Sequence, residues 1–272
     1  MGAKVNFHAK GREAGNVRTI SLPGVDIDCD IRGEGRDILY LPGGHWLAEE
    51  RTFIDRLATL GRVATPEFPG FSARPAPGRF NCADDLAYVC LDLVAALKMK
   101  NILLVGANFG GWVAAEIATK ACADFSALAL IDPYGVRTGA REERDIVDLF
   151  ALPDPELKKR AWADPSRFDE NPRNQTDAEL ARRVRAREAF ARYGWAPFMH
   201  NPKLNGRLHR APARTLFLWG AQDRIVSPEH VKKFTALVPG AQFRLIEGAG
   251  HFPHVEQADR TLDAIAAFAR GA

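Results

Sequence analysis

Three residues far apart in the chain carry side chains whose types and settings could do proton-transfer or nucleophilic chemistry: Asn108, Asp223 and His251. Asn108 lies in Val105-Gly106-Ala107-Asn108-Phe109-Gly110-Gly111-Trp112, between the apolar run Ile102–Val105 and the Ala-rich stretch Val113–Ala118. Strand, glycine turn and helix is the setting in which G-x-S-x-G holds a nucleophile at the tip of the turn. Here the tip is an amide, a very poor nucleophile. Asp223 follows the apolar run Thr215–Trp219, and His251 follows Gln242–Ile246 within Gly248-Ala249-Gly250-His251-Phe252-Pro253. A histidine can take and return a proton near neutral pH. A buried carboxylate fixes its tautomer and stabilises the imidazolium. The helix opened by Asn108 presents free N–H groups, so the amide of Phe109 is one candidate oxyanion donor. A second is expected from Pro42-Gly43-Gly44-His45-Trp46, at Gly43 or Gly44.

The elements that must hold these residues read as alternating strands and helices. Val17–Leu22 and Val25–Ile31 flank Pro23-Gly24 and predict a hairpin. Ile38–Leu41 is a continuous apolar run that enters a loop at Pro42-Gly43-Gly44, the pattern of a buried strand. Leu47–Leu60 predicts a helix, Arg62–Thr65 a short strand, and Ala83–Leu97 a helix capped by Asn81 or Asp84. Strands at Ile102–Val105, Ala127–Ile131, Thr215–Trp219 and Gln242–Ile246 alternate with helices that run to about residue 121, over His230–Leu237 and over Asp259–Ala269. This alternation predicts an α/β fold with a mostly parallel, doubly wound sheet. Between about residues 136 and 210 the chain is rich in charge, Pro and Trp and shows no strand pattern. That segment predicts a helical cap, which divides the core into residues 1–135 and 211–272. In open α/β sheets ligands bind beyond the carboxyl ends of the strands.

The order of elbow, acid and histidine resembles the α/β-hydrolase family of the capped type. It is similar to the bacterial esterases, carbon–carbon bond hydrolases, haloperoxidase-like enzymes and epoxide or haloalkane hydrolases. The resemblance spans about residues 17 to 270, and Glu67-Phe68-Pro69-Gly70-Phe71-Ser72 matches a family stretch loosely. It implies Asn108 at the nucleophile position, Asp223 and His251 as its partners, and Gly43, Gly44 and Phe109 as the oxyanion hole. It also implies a small-molecule substrate and no cofactor. The oxyanion loop departs from the family's frequent His-Gly, since this chain has Leu41-Pro42-Gly43-Gly44. His45, Trp46, Trp112 and Trp195 are candidate substrate contacts, with loop structure or packing as the plainer reading of each. Asp132 is a rival acid because it too follows a strand, His254 reads as structural, and Ser72 is a distant substitute nucleophile.

Four readings of Asn108 stand side by side. It replaces a natural serine or aspartate. It orients substrate while His251 and Asp223 act as a general base without a covalent step. It marks a protein that binds a ligand and does no chemistry. Or it deamidates to aspartate, which bulky Phe109 disfavours. The reactions left open extend from hydrolysis of small apolar or aromatic ester-like or C–C substrates to lyase-type or oxygenase-type proton abstraction.

Composition narrows the classes. Of 272 residues, 37 are Lys or Arg and 34 are Asp or Glu, a net +3 too small to argue for nucleic acid. The basic stretch Ala181–Arg187 reads as the solvated face of a helix. Cys29, Cys82, Cys90 and Cys122 form no C-x-x-C pair, and no metal-ligand spacing or dinucleotide fingerprint occurs. Scattered thiols and the lack of an apolar signal core or membrane-length run give a cytoplasmic expectation. An exposed apolar patch on the cap would favour a homodimer.

Overall fold

The computed structural model describes residues 5–6, 16–44, 50–71, 73–120, 123–140, 142–167, 176–212 and 214–271. Nine strands form one sheet: β1 (Val5–Asn6), β2 (Asn16–Leu22), β3 (Val25–Arg32), β4 (Asp37–Leu41), β5 (Arg62–Pro66), β6 (Ile102–Ala107), β7 (Phe125–Ile131), β8 (Thr215–Gly220) and β9 (Gln242–Ile246). Their order is β1-β2-β3-β5-β4-β6-β7-β8-β9. The pairs from β1 to β3 and the pair β3–β5 are antiparallel, and every pair from β5 to β9 is parallel. The predicted hairpin is β2–β3, with Gly24 at φ +77° in its turn, a conformation that costs glycine little.

Eight α-helices accompany the sheet among the described residues: α1 (Glu50–Leu57), α2 (Ala83–Ala96), α3 (Asn108–Ala118), α4 (Asp154–Ala161), α5 (Asp177–Gly194), α6 (Pro228–Ala236), α7 (Pro253–Glu256) and α8 (Ala258–Arg270). The central strands are buried on both faces. Along β6, Ile102 and Leu104 join the hydrophobic cluster that contains α2 and α3, while Leu103 and Val105 join the cluster under α1 and α8. A strand packed on both sides reads as a continuous apolar run, which is why Ile102–Val105 was legible.

Two differences from expectation have a visible local cause. Helix α1 ends at Leu57, short of the expected Leu60, because Thr59 and Leu60 donate to Arg56 and Leu57 in a closing turn toward Gly61; the expected start at Leu47 lies outside the described residues. Helix α2 is capped by neither Asn81 nor Asp84. Cys82 is its N-cap, and the Asp85 carboxylate accepts from the amides of Asn81 and Cys82 at 2.8 and 3.1 Å.

The segment between β7 and β8 carries α4 and α5. Helix α5 begins with a capping box: Glu179 donates its amide to Thr176 Oγ1, and its carboxylate accepts from the Thr176 amide. Its buried residues Ala186, Ala189, Phe190 and Tyr193 recur at helical spacing and face the core. The basic run lies on this helix, and Arg187 pairs with Asp154 at 2.9 Å. Tyr193 Oη donates to Pro69 O at 2.9 Å and ties the helix to the loop after β5. Val184 and Trp195 in this segment are exposed. No helix among the described residues is long and apolar enough to cross a membrane.

Helix α3 is buried throughout, and it lies against β4 only because Gly110 has no side chain. A Cβ on Gly110 would stand 2.1 Å from Leu41 O and 2.4 Å from Pro42 O, both rigid backbone atoms. Gly110→Ala is therefore expected to cost about 3 kcal/mol, read as a lower urea midpoint. An unchanged midpoint would show that α3 can move off β4.

Candidate active site

Asn108 is fully buried at the junction of β6 and α3, with φ +47°. Left-handed backbone is costly for most residues, and asparagine tolerates it better than most. Its amide nitrogen donates to His251 O at 2.9 Å and to Asp132 O at 3.4 Å. Its own backbone carbonyl accepts from the Tyr134 amide at 3.2 Å. One residue thus joins the elbow to the loops after β7 and β9. Its Oδ1 is buried without a partner, on the side of Gly43, where an added Cβ would come within 2.7 Å of it.

Asp223 and His251 meet as the sequence suggests, with His251 Nδ1 2.9 Å from Asp223 Oδ2 and both side chains 1% exposed. The carboxylate also accepts from Trp219 Nε1 at 3.1 Å and from the amides of Ile225 and Val226 at 2.7 and 3.4 Å. A carboxylate only accepts, so the imidazole proton sits on Nδ1 and Nε2 carries the lone pair. That lone pair faces the hydroxyl of Tyr134, 2.6 Å away, and not Asn108. Asp132 lies beside this pair. Its Oδ1 accepts from the Gly220 amide at 3.2 Å, and no donor reaches its Oδ2. Burial and the neighbouring Asp223 push the Asp132 carboxyl well above the usual carboxylate range. Both causes favour its protonated form. Asp132, Asp223 and His251 also bring three metal-ligating atoms within 4.8 Å of one another, a grouping drawn from three loops that no sequence spacing could display. The acid–base contacts just described already account for the arrangement.

Gly44, at φ +78°, follows Gly43 in the loop after β4. The Gly43 amide donates to the buried Glu50 carboxylate at 3.3 Å, which also accepts from Tyr40 Oη at 2.5 Å. His254 Nε2 lies 3.6 Å from the same oxygen. The amide of Phe109 points at Gly43 O, 3.4 Å away. In this arrangement the candidate oxyanion donor is covered by the loop that should share its task.

An aromatic wall closes the space above. Phe109 packs against Phe71, Phe190 and Trp112 with centroids 5.6, 5.5 and 5.8 Å apart, and Tyr193 stacks on Phe71 at 6.0 Å. Phe190 also reaches Tyr134 at 6.1 Å. A Cβ on Gly44 would lie 3.1–3.3 Å from atoms of Phe71, Phe109 and Phe190. A cavity of about 140 Å³ is lined in part by Pro42, Gly44, Phe68 and Phe71.

A family model described as "Alpha/beta hydrolase family" matches residues 38–264. The chain belongs to the alpha/beta hydrolase family. It is 26% identical over 98% of its length to a 2-hydroxymuconate semialdehyde hydrolase of Pseudomonas sp. (strain CF600), covering 96% of that protein. It is 25% identical over 88% of its length to a 2-hydroxy-6-oxo-6-phenylhexa-2,4-dienoate hydrolase of Burkholderia cepacia, covering 91% of it. Among solved structures, a meta-cleavage product hydrolase from Pseudomonas fluorescens IP01 superposes with a TM-score of 0.74 at 21% identity, over 93% of this chain and 97% of that one. A thermophilic esterase from Thermogutta terrifontis gives 0.71 at 23%, over 94% and 98%. At these identities the structures speak for the fold. Membership in this hydrolase family makes the chain an enzyme by kinship.

The remaining candidates fall elsewhere in this hydrolase fold. Trp112 is buried, donates its indole N–H to Glu116 at 3.2 Å and packs beneath Gly135. Trp195 is exposed and edges onto Phe150. His45, Trp46 and Ser72 lie outside the described residues. Tyr134 was not singled out from sequence. Its signal was its place two residues beyond Asp132, at the carboxyl end of a buried strand.

The amide of Asn108 faces two carbonyl oxygens, so Asn108→Asp would set a carboxylate against them. A stability loss of about 1–3 kcal/mol at neutral pH is expected, visible as a lower melting temperature. An unchanged or higher melting temperature would show that those two bonds do not hold the elbow.

Proposed function

We propose that this enzyme hydrolyses a small carbonyl compound bearing an apolar or aromatic group, with His251 and Asp223 as a general-base pair acting on water and no covalent intermediate at residue 108. One contrast carries the reading. The Asn108 nitrogen is engaged with two backbone carbonyls, while His251 sits between Asp223 and Tyr134 in an arrangement able to move a proton. In the reaction, a water O–H bond breaks toward the base and the hydroxide bonds to the carbonyl carbon. The bond to the leaving carbon or oxygen then breaks, and that atom takes the proton back from the imidazolium. The Phe109 amide and the Gly43–Gly44 loop would stabilise the oxyanion once the loop turns its carbonyl away.

Two features support the substrate class. The wall of Phe71, Phe109, Phe190 and Tyr193 suits an apolar or aromatic end. The relatives hydrolyse conjugated oxo acids by name, one of them carrying a phenyl group. In this reading residues 136–210 form a cap. His251 N donates to Ala161 O at 2.6 Å, and Glu256 accepts from the Gly250 and Ala163 amides at 2.6 and 2.9 Å. The histidine loop and the cap would therefore move together. A blocked-nucleophile reading draws on one observation, the left-handed elbow at residue 108.

The test is turnover of 2-hydroxy-6-oxo-6-phenylhexa-2,4-dienoate and of 4-nitrophenyl esters by the chain as it stands. His251→Ala is expected to lower kcat by roughly 10²–10⁴-fold, and Asp223→Asn to follow it. Undiminished turnover in His251→Ala would remove the general-base reading.

A further inference from the structure

Tyr134 occupies the position from which a base would have to reach its substrate. Its side chain is fully buried, and its hydroxyl stands 2.6 Å from His251 Nε2. The ring lies 5.1 Å from the imidazole on one side and 6.1 Å from Phe190 on the other. The second face of the imidazole neighbourhood is covered by Phe252, with centroids 5.3 Å apart, and Nδ1 is held by Asp223. The Nε2 lone pair is thus engaged by the phenol hydroxyl, so a proton delivered through that hydrogen bond passes through Tyr134. The backbone fixes this placement, because the Tyr134 amide donates to Asn108 O and the following Gly135 amide to Met199 O.

We infer that Tyr134 is a catalytic residue, a proton relay between the attacking water and His251. This deepens the general-base reading and rests on it. As a water approaches the substrate carbonyl, its O–H bond breaks toward Tyr134 Oη. The phenol's own proton crosses to His251 Nε2 in the same step, and hydroxide bonds to the carbonyl carbon. The result is an imidazolium paired with Asp223 and a neutral tyrosine. When the bond to the leaving group breaks, its electron pair goes to the leaving atom, and the two protons return by the reverse path. Burial, with Asp223 and Asp132 close by, pushes the phenol well above its ordinary range. A free phenolate is thus disfavoured, which favours moving the two protons together. Tyrosine suits this task because one oxygen both donates and accepts.

The experiment uses the full chain with 2-hydroxy-6-oxo-6-phenylhexa-2,4-dienoate, followed by loss of the conjugated absorbance. Tyr134→Phe, with its melting curve recorded, is expected to lose at least about 10-fold in kcat. Replacing Tyr134 with 3-fluorotyrosine keeps the hydrogen-bond geometry and changes the acidity of the phenol. It is expected to change kcat, which a purely holding role would not do. Rates in mixtures of light and heavy water should curve for the parent, as two protons move together, and become linear in Tyr134→Phe. If Tyr134→Phe stays within twofold of the parent while His251→Ala is inactive, the relay is overturned and the general base stands. If 3-fluorotyrosine leaves kcat unchanged, the relay is likewise overturned. If the parent is inert, or His251→Ala matches it, the underlying reading fails and the relay with it.

Discussion

Two hydrogen bonds from a single amide nitrogen constrain everything around the site. Asn108 Nδ2 reaches His251 O and Asp132 O, and Asn108 O receives the Tyr134 amide. These contacts pin the ends of β6, β7 and β9 to one point. The elbow's left-handed backbone makes that geometry available, and glycines at its flanks let α3 lie directly on β4 and β7. A serine there has one donor and could satisfy one of the two carbonyls. An aspartate has none when ionised. In the proposed reading the amide acts as a staple, and the chemistry passes to the groups the staple positions.

Those groups form a compact electrostatic unit. Asp223 accepts four donors, His251 lies between a carboxylate and a phenol, and burial and the neighbouring Asp223 push the Asp132 carboxyl well above its usual range. A buried carboxylate surrounded by donors is a stable arrangement, whereas two carboxylates side by side oppose each other's ionisation. The aromatic wall sets the other condition. Phe190 from α5 packs beside Gly44 of the oxyanion loop. The same segment between β7 and β8 also meets the histidine loop, through Ala161 O.

Much of this was legible in the chain. The buried parallel strands stood out as apolar runs because both of their faces are covered. Asp223 and His251 stood out because each follows such a run in a glycine-containing loop. The different cap of α2 and the earlier end of α1 reflect local chemistry that period and composition do not carry, namely the carboxylate of Asp85 reaching back to Cys82 and the turn that closes α1. The placement of Tyr134 and the raised carboxyl of Asp132 were out of reach for a different reason. Their roles arise from the register of β7 against β6 and β8, which sets side chains from three loops within hydrogen-bond distance. Trp112 resembled a pocket residue by its position beside the elbow, but helical geometry turns it inward onto Glu116.

The central claim is that residue 108 holds the site and does not attack the substrate. The most direct measurement is kcat/KM of the parent beside Asn108→Ser on 2-hydroxy-6-oxo-6-phenylhexa-2,4-dienoate, with intact mass recorded during turnover. The account predicts an active parent, no gain from serine and no adduct in either protein. An inert parent, together with a serine variant that turns over and accumulates an acyl adduct, would show that Asn108 is a blocked nucleophile and would contradict it.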